Sequence, residues 1–406
     1  MTTQRTNPSQ FGLAALLNNT TGAHSYLSVN PSQNTNKIID IGGGFGNGAE
    51  ERPASTASSY LGSVNSFNGA YGQGSSYGEW TLIPTRTFSA QVKLWGGGGG
   101  AHSQGGNSFA GGGGHARADI NFLEGIPYTF WVGQGGFYSQ GRYSTNENKF
   151  NYRTSGTFGN GGGGGHNAGS GGGLSGIFFN TLGFESQGSG HDNQGGGTSQ
   201  SQGGVSTWFR TPSQNNALLI AGGGGGAGHN SQSHHGQGGG GGGVNGNPGH
   251  NSPGGTQTGG GAAWTNGSQN GHALHGGHGG NGSHAGGGGG GWFGGAGGSH
   301  SGSHYNGGGG GSGHALDQNS VSGFRNFWIK QQRGDIVQNS VLEVSPSNHG
   351  TYVNMAAGRS DIDWQYAGIG AGAANHNSST DTMKFLGFHG GWRNGTNGRI
   401  VIRVNE

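Results

Sequence analysis

Histidines recur at every third position in His272-x-x-His275-x-x-His278, and imidazole nitrogens suit zinc, copper or nickel. No carboxylate or thiol stands beside them, so no metal and no cofactor are expected; these three would be the ligands if a metal bound. The competing role is hydrogen bonding, with His, Asn, Gln and Ser tying off backbone groups at turns. Eleven of the 19 histidines lie between His229 and His314, and protonating such a cluster near pH 6 would charge an otherwise neutral surface. Two carboxylate pairs, Asp361-Ile-Asp363 and Asp119 with Glu124, have the residue type that cleaves glycosides, although isolated pairs usually belong to surfaces or turns. No Gly-Lys-Ser/Thr follows a glycine loop, so there is no phosphate loop. No nucleophile and base form a recognisable set, and the chain reads as non-enzymatic. Aromatic side chains are the better binding candidates. Trp264, Trp292, Phe293 and Tyr305 stand in glycine-rich surroundings with Asn and Gln nearby, a combination that suits sugars or protein loops. They could equally cover the ends of glycine segments or fill subunit interfaces.

The elements that would position these residues are unusual. Of 406 residues 104 are glycine, only 28% are hydrophobic and only 8% are charged, which an ordinary core does not tolerate. Between Asp192 and Asp317 the one charged residue is Arg210. The glycines do not recur every third residue, which excludes collagen. Disordered chains are typically charged and poor in aromatics, whereas this chain has 9 Trp, 11 Tyr and 19 Phe, so an ordered body is expected. The net charge of +2 is thinly spread and forms no basic stripe, so nucleic acid is not an expected partner. Cysteine is absent, and the redox compartment cannot be read. Met1 to Gln10 is polar and Phe11 to Leu17 is too short for a secretory core, so synthesis in the cytoplasm without a cleaved signal is expected, and no run approaches a membrane span.

Composition divides the chain into three. Residues 1–85 are mixed, with one or two helical turns expected at Phe11 to Leu17 and short strands at Tyr26 to Val29 and Lys37 to Ile41; this is the candidate attachment and assembly region. Residues 86–330 are the glycine-rich body. Phe88, Ala90, Val92 and Leu94 alternate with polar residues, predicting a strand with one apolar face. Further strands are predicted at Ala116 to Phe122, Pro127 to Val132, Ile177 to Phe179 and Ala217 to Ile220. Residues 331–406 regain ordinary composition, with strands expected at Ile336 to Val344 and Arg399 to Val404. The last should complete a sheet begun by Phe88 to Leu94.

Seven runs of four to six glycines occupy 96–100, 111–114, 161–165, 222–226, 238–243, 286–291 and 307–311, with shorter ones at 171–173, 195–197 and 259–261. Glycine can adopt an extended threefold helix that makes no internal hydrogen bonds and rises about 3.1 Å per residue. Without a Cβ, such helices can approach closely and bond laterally. Ordering backbone costs about 1–2 kcal/mol per residue, and a lone run recovers none of it, so a bundle is required. Gly98, Gly113, Gly163, Gly224, Gly240, Gly288 and Gly309 are the glycines expected to sit inside it. A side chain there would occupy a neighbour's backbone, and Gly240→Val is expected to abolish folding.

Trp95 followed by Gly96 to Gly100, then Gly111 to Asn121, then Gly125-Ile-Pro-Tyr-Thr-Phe-Trp-Val-Gly-Gln-Gly-Gly136, resembles the opening of the glycine-rich domain family. Gly171 to Ile177 is similar to that family's turn into a strand, and Ala217-Leu-Leu-Ile-Ala-Gly-Gly-Gly-Gly-Gly-Ala-Gly228 is its most specific motif here. Asn397-Gly-Arg-Ile-Val-Ile-Arg403 resembles the closing strand of phage versions. The family includes phage tail and virion proteins and the extracellular domain of anaplastic lymphoma kinase-like receptors. The resemblance covers roughly 86–320 and the last few residues. It implies a mainly β fold, with β-sandwich-like strands, a bundle of polyglycine II helices and little α-helix. The expected function is a phage structural protein, an appendage or tail-fibre-type component of the virion. Its expected partners are other virion proteins, further copies of itself and a host-surface glycan or protein, with no membrane insertion. The alternatives are a stand-alone polyglycine II adhesin, an extracellular filament subunit or an ice-binding protein.

Overall fold

The computed structural model describes residues 15–18, 37–42, 78–83, 87–102, 109–123, 128–138, 156–165, 168–179, 212–214, 216–229, 236–264, 268–280, 284–301, 304–316, 337–346, 356–364, 369–373 and 394–405. These contain thirteen strands and no helix: β1 (Ala15–Asn18), β2 (Lys37–Gly42), β3 (Gly78–Ile83), β4 (Phe88–Trp95), β5 (His115–Phe122), β6 (Tyr128–Val132), β7 (Ser175–Phe179), β8 (Ala217–Ala221), β9 (His300–Ser301), β10 (His304–Tyr305), β11 (His314–Ala315), β12 (Val337–Glu343) and β13 (Arg399–Asn405). One antiparallel sheet has six strands in the order β1-β3-β6-β7-β8-β11, and a second has five in the order β12-β5-β4-β13-β2. β9 and β10 form a separate two-stranded pair. The described residues are therefore strand-rich, as a mainly β chain requires.

Alternation along β4 decides which face is buried. Ala90, Val92 and Leu94 point the same way as Ala116, Ala118, Ile120 and Phe122 of β5 and Ile400 and Ile402 of β13. They meet Tyr128, Phe130, Ile177, Phe179 and Ala221 of the six-stranded sheet in one apolar core. Phe122 locks the two layers together, its ring centroid 4.9 Å from Tyr128 and 5.0 Å from Phe88. The far face of the six-stranded sheet is covered as well, where Trp131, Leu174, Phe178 and Ile220 pack with Leu274. Coverage on both faces explains why every residue of β6, β7 and β8 is buried. The far face of the five-stranded sheet carries Trp95 and Val401, which pack against Ala356, Ile369 and Trp364.

The C-terminal strand pairs with β4 over its whole length, from Arg399 opposite Trp95 to Asn405 opposite Ser89, as its apolar pattern predicts. It also pairs with β2 on its other side, so it lies inside the sheet. The segment 1–85 contributes β1 and β3 to one sheet and β2 to the other. The helical turn expected at Phe11 to Leu17 is not seen in its described part: Ala15–Asn18 is extended and pairs with Trp80–Ile83, which satisfies its backbone as a strand, and residues 11–14 lie outside the described residues. The expected strand at Tyr26 to Val29 lies outside the described residues.

Most strands change into glycine-rich segments at one common edge. β4 runs into 96–100, β6 into 133–136 and β8 into 222–228, while 111–114 leads into β5, 169–173 into β7, 307–313 into β11 and 394–398 into β13. The pairs Trp95–His115, Ser175–Ala221 and Arg399–Trp95 mark that edge. Backbones in a sheet lie about 4.8 Å apart, so strands paired at that spacing deliver the segments side by side.

Candidate functional site

Residues 222–228 sit at the centre of the glycine-rich region, and their hydrogen bonds repeat with a period of three. Gly223 and Gly226 donate to Gly290 and Gly287 at 2.7 Å each. Gly224 and Ala227 donate to Gly97 and Gly100 at 2.9 Å, and Gly225 and Gly228 to Gly239 and Gly236 at 2.8 Å. The carbonyls repeat in the same way. Gly222 and Gly225 accept from Gly114 and Gly111, Gly223 and Gly226 from Gly311 and Gly308, and Gly224 and Ala227 from Gly172 and Gly169. The segment is thus bonded to six others, three through its donors and three through its acceptors. The segment 286–291 is also surrounded: Gly287 donates to Gly169, Gly288 to Gly277 and Gly289 to Gly309, while Gly286, Gly287 and Gly288 accept from Gly298, Gly226 and Gly162.

The packing leaves no room for side chains. A Cβ on Gly224 would overlap the carbonyl of Gly111, and one on Gly288 that of Gly295. Of the other glycines expected inside the bundle, Gly98 donates to Thr396, Gly113 to Gly370 and Gly309 to Ala296. Gly163 donates instead to the Nδ1 of His278 at 2.8 Å. Gly240 accepts from Asn247, and the backbone a side chain there would strike is Ser345, outside the glycine runs.

Polar side chains finish the backbone bonding where a glycine neighbour is missing. Ser175 Oγ accepts from Gly133 at 3.0 Å, Asn397 Oδ1 from Gly135 at 2.8 Å, Ser170 Oγ from Phe137 at 2.6 Å and Gln134 Oε1 from Phe158 at 3.0 Å. The triplet His272, His275 and His278 belongs to this system. His272 and His275 bond each other's backbones at 2.8 and 3.0 Å, and His278 receives Gly163. Among the described residues no group of three or more His, Cys, Asp or Glu could hold a metal ion.

The outer stretch 244–252, which turns back at Gly249–Ser252, sends some side chains to solvent. Asn245, Pro248 and Asn251 are exposed, whereas Gly246, Gly249 and Ser252 are buried. The four candidate binding aromatics fare differently. Trp264 is 61% exposed. Trp292 is half-buried, stacked on His314 at 3.6 Å, and its Nε1 donates to the Gln257 carbonyl at 3.1 Å. Phe293 is half-buried and bridges to Ala273. Tyr305 stacks on His300 at 4.7 Å and meets His284 edge-on at 4.8 Å. Trp264 alone of the four presents most of its surface to solvent.

Asp361 and Asp363 are brought together, but around cations. Lys93 donates to Asp361 Oδ1 and Asp363 Oδ2 at 2.7 Å each, and Lys93 is only 4% exposed. Arg403 forks onto both oxygens of Asp363, and Arg399 donates to its carbonyl at 2.8 Å. Burial alone would raise the Asp363 carboxyl, but hydrogen bonds from Arg403 and Lys93 outweigh it and hold the group below the usual carboxylate range. Both carboxylates are committed to fastening 356–364 over the far face of β4 and β13. Beside them His115 is buried against Trp95 at 4.7 Å, 3.6 Å from Glu343, with Gly358 in the left-handed region at φ +67° pressed on its ring. Asp119 accepts from Asn339 at 2.8 Å, and its expected partner Glu124 lies outside the described residues.

The ion cluster escaped sequence reading because Lys93 lies 270 positions from Asp363. The local hints were Lys93 on the polar side of β4 and the Asp361-Ile-Asp363 pair, which nothing in the sequence joins. Neither a protein-family model nor a curated protein matches this chain.

Proposed function

We propose that this chain is a non-enzymatic structural protein of a phage particle, an appendage or tail-fibre-type component whose glycine runs are polyglycine II helices on a β-sandwich-like base. The observation that carries the reading is the three-residue repeat of hydrogen-bond directions around 222–228. A threefold extended helix turns successive peptide groups by about 120° and bonds only outside itself, which is the pattern such a repeat requires. The likeness of Trp95 to Gly136 and Ala217 to Gly228 to the glycine-rich domain of phage tail and virion proteins supplies the setting. Backbone packing suits a rigid appendage because it presents few side chains that could rearrange.

An enzyme is disfavoured because the Asp361 and Asp363 carboxylates already have Lys93 and Arg403 as partners. The partners of this reading are other virion proteins, further copies of the chain and a glycan or protein of the host surface. Region 1–85 is assigned to assembly and Trp264 to recognition. No role is assigned to nucleic acid, cofactor or membrane insertion; among the described residues no helix is long and apolar enough to cross a bilayer.

A stand-alone extracellular adhesin is the second reading, favoured by the exposure of Trp264. Ice binding and lateral filament growth are disfavoured by Asn245, Pro248 and Asn251, whose side chains break the flatness of the outer segments. Gold-labelled antibody imaging of purified particles tests the leading reading. Labelling at a fixed place on each particle is expected. Particles that lack the protein, with the chain recovered free in the medium, would overturn it in favour of the adhesin.

A further inference from the structure

At one end of the glycine segments the residues that begin or end them are aromatic and titratable. His102 follows Gly100-Ala101, His229 follows Gly228, His284 precedes Ala285-Gly286, and Tyr305 precedes Asn306-Gly307. Their rings form a continuous chain. His102 meets His229 edge-on at 5.1 Å, His229 lies 5.2 Å from His284, His284 meets Tyr305 at 4.8 Å, and Tyr305 stacks on His300 at 4.7 Å. The His229 amide also donates to the His284 carbonyl at 2.7 Å. Beneath them Ala101, Ala110, Ala227 and Ala373 form a small apolar cluster.

We propose that this ring chain is an acid-operated latch, in which protonation of the histidines loosens the adjoining ends of 96–102, 222–229 and 284–291 while the two sheets stay folded. The titratable groups facing one another are His102, His229, His284, His300 and Tyr305. The described segments meeting there, 96–102, 109–114, 222–229, 284–301, 304–316 and 369–373, contain no Asp, Glu, Lys or Arg, so a new positive charge meets no carboxylate from them. His102 is fully buried, and His229 has a buried Nδ1 that makes no hydrogen bond among the described residues. Two imidazolium rings about 5 Å apart, one fully buried and the other half-buried, repel. Desolvation, together with the charges of His229 and His284, holds the His102 ring at a pKa of about 3, and desolvation also lowers His229.

The sign follows from linkage. Both rings titrate lower in the folded state than the value of about 6.5 in an open chain. Their contribution to stability is therefore complete above roughly pH 6.5 and declines as pH falls towards the folded values. The latch operates wherever the protein resides, in a particle or free.

Histidine-labelled NMR with ¹⁵N-glycine detection tests it. Between pH 7 and 4.5 the amide signals of Gly226, Gly228 and Gly286 are expected to broaden or collapse, while Gly176 of β7 holds. A His102→Phe, His229→Phe double variant keeps the ring contacts and should hold all four signals at pH 4.5. Wild-type signals unchanged to pH 4.5, or a double variant that loses them as the wild type does, overturn the latch. If the double variant does not fold at pH 7, the wild-type imidazoles decide. Neutral His102 and His229 rings at pH 5.5 that become charged together with the glycine collapse support the latch. Rings titrating near pH 6.5 without any glycine change refute it.

Discussion

A Cβ on Gly224 would land on the carbonyl of Gly111, whereas one on Gly259 would meet nothing within 4 Å. Composition treats these two glycines alike; packing does not. Gly224→Ala should cost at least about 3 kcal/mol, the upper range of overpacking, because the obstruction is a backbone that is itself bonded on other sides. Gly259→Ala should be neutral or stabilising by up to about 1 kcal/mol, since it restricts the unfolded chain at little cost to the folded one. Urea unfolding of the two variants beside the wild type measures the contrast, and equal losses would contradict it. The density of glycine was legible from sequence, and so was the need for a backbone-packed interior. Which glycine faces which carbonyl was not, because a run of identical residues carries no register. Gly240 illustrates this, its obstructing neighbour being Ser345 rather than another glycine. Hydrogen bonding was one of two roles the sequence left open for the histidine triplet, and the His278 ring accepts from Gly163.

Strands were the elements easiest to foresee. The period of two in β4 and the apolar C-terminus announced the pairing of β4 with β13, and the structure places it in continuous register. β3 was missed because Gly78–Ile83 stands in a Ser-, Asn- and Gly-rich stretch that reads as loop. The segments 356–364 and 369–373 were missed because their hold on the sheet comes from residues distant in sequence: Lys93, Arg399 and Arg403, with Trp95 and Val401 beneath. Asp363→Asn leaves Lys93 and Arg403 with one carboxylate fewer inside a largely buried cluster. A loss of about 3 kcal/mol is expected, in the range for breaking a buried pair from one side. Because the folded carboxyl is held below its open-chain value, its contribution is present above about pH 4 and disappears as pH falls through the folded value. Denaturation curves of wild type and variant should therefore converge in strong acid; a constant gap down to the lowest pH would assign the residue a role other than charge pairing.

For the molecule as a whole, two kinds of interior meet at one edge. Below it, apolar side chains from two sheets interdigitate; above it, glycine backbones bond to glycine backbones. The upper part gains about 1 kcal/mol per net hydrogen bond against an ordering cost of about 1–2 kcal/mol per residue, so it leans on the strands that feed it. The outward Asn245, Pro248 and Asn251 close its margin much as charges and prolines close the edge of a sheet. The virion reading depends on this architecture being rigid and on Trp264 being available at its surface. Hydrogen exchange of the amides of residues 223–228 at neutral pH tests the lattice most directly. Protection matching that of β4 and β8 is the expected result, since these six amides are bonded in rotation to three neighbouring segments. Exchange at the rate of an open glycine chain would contradict it.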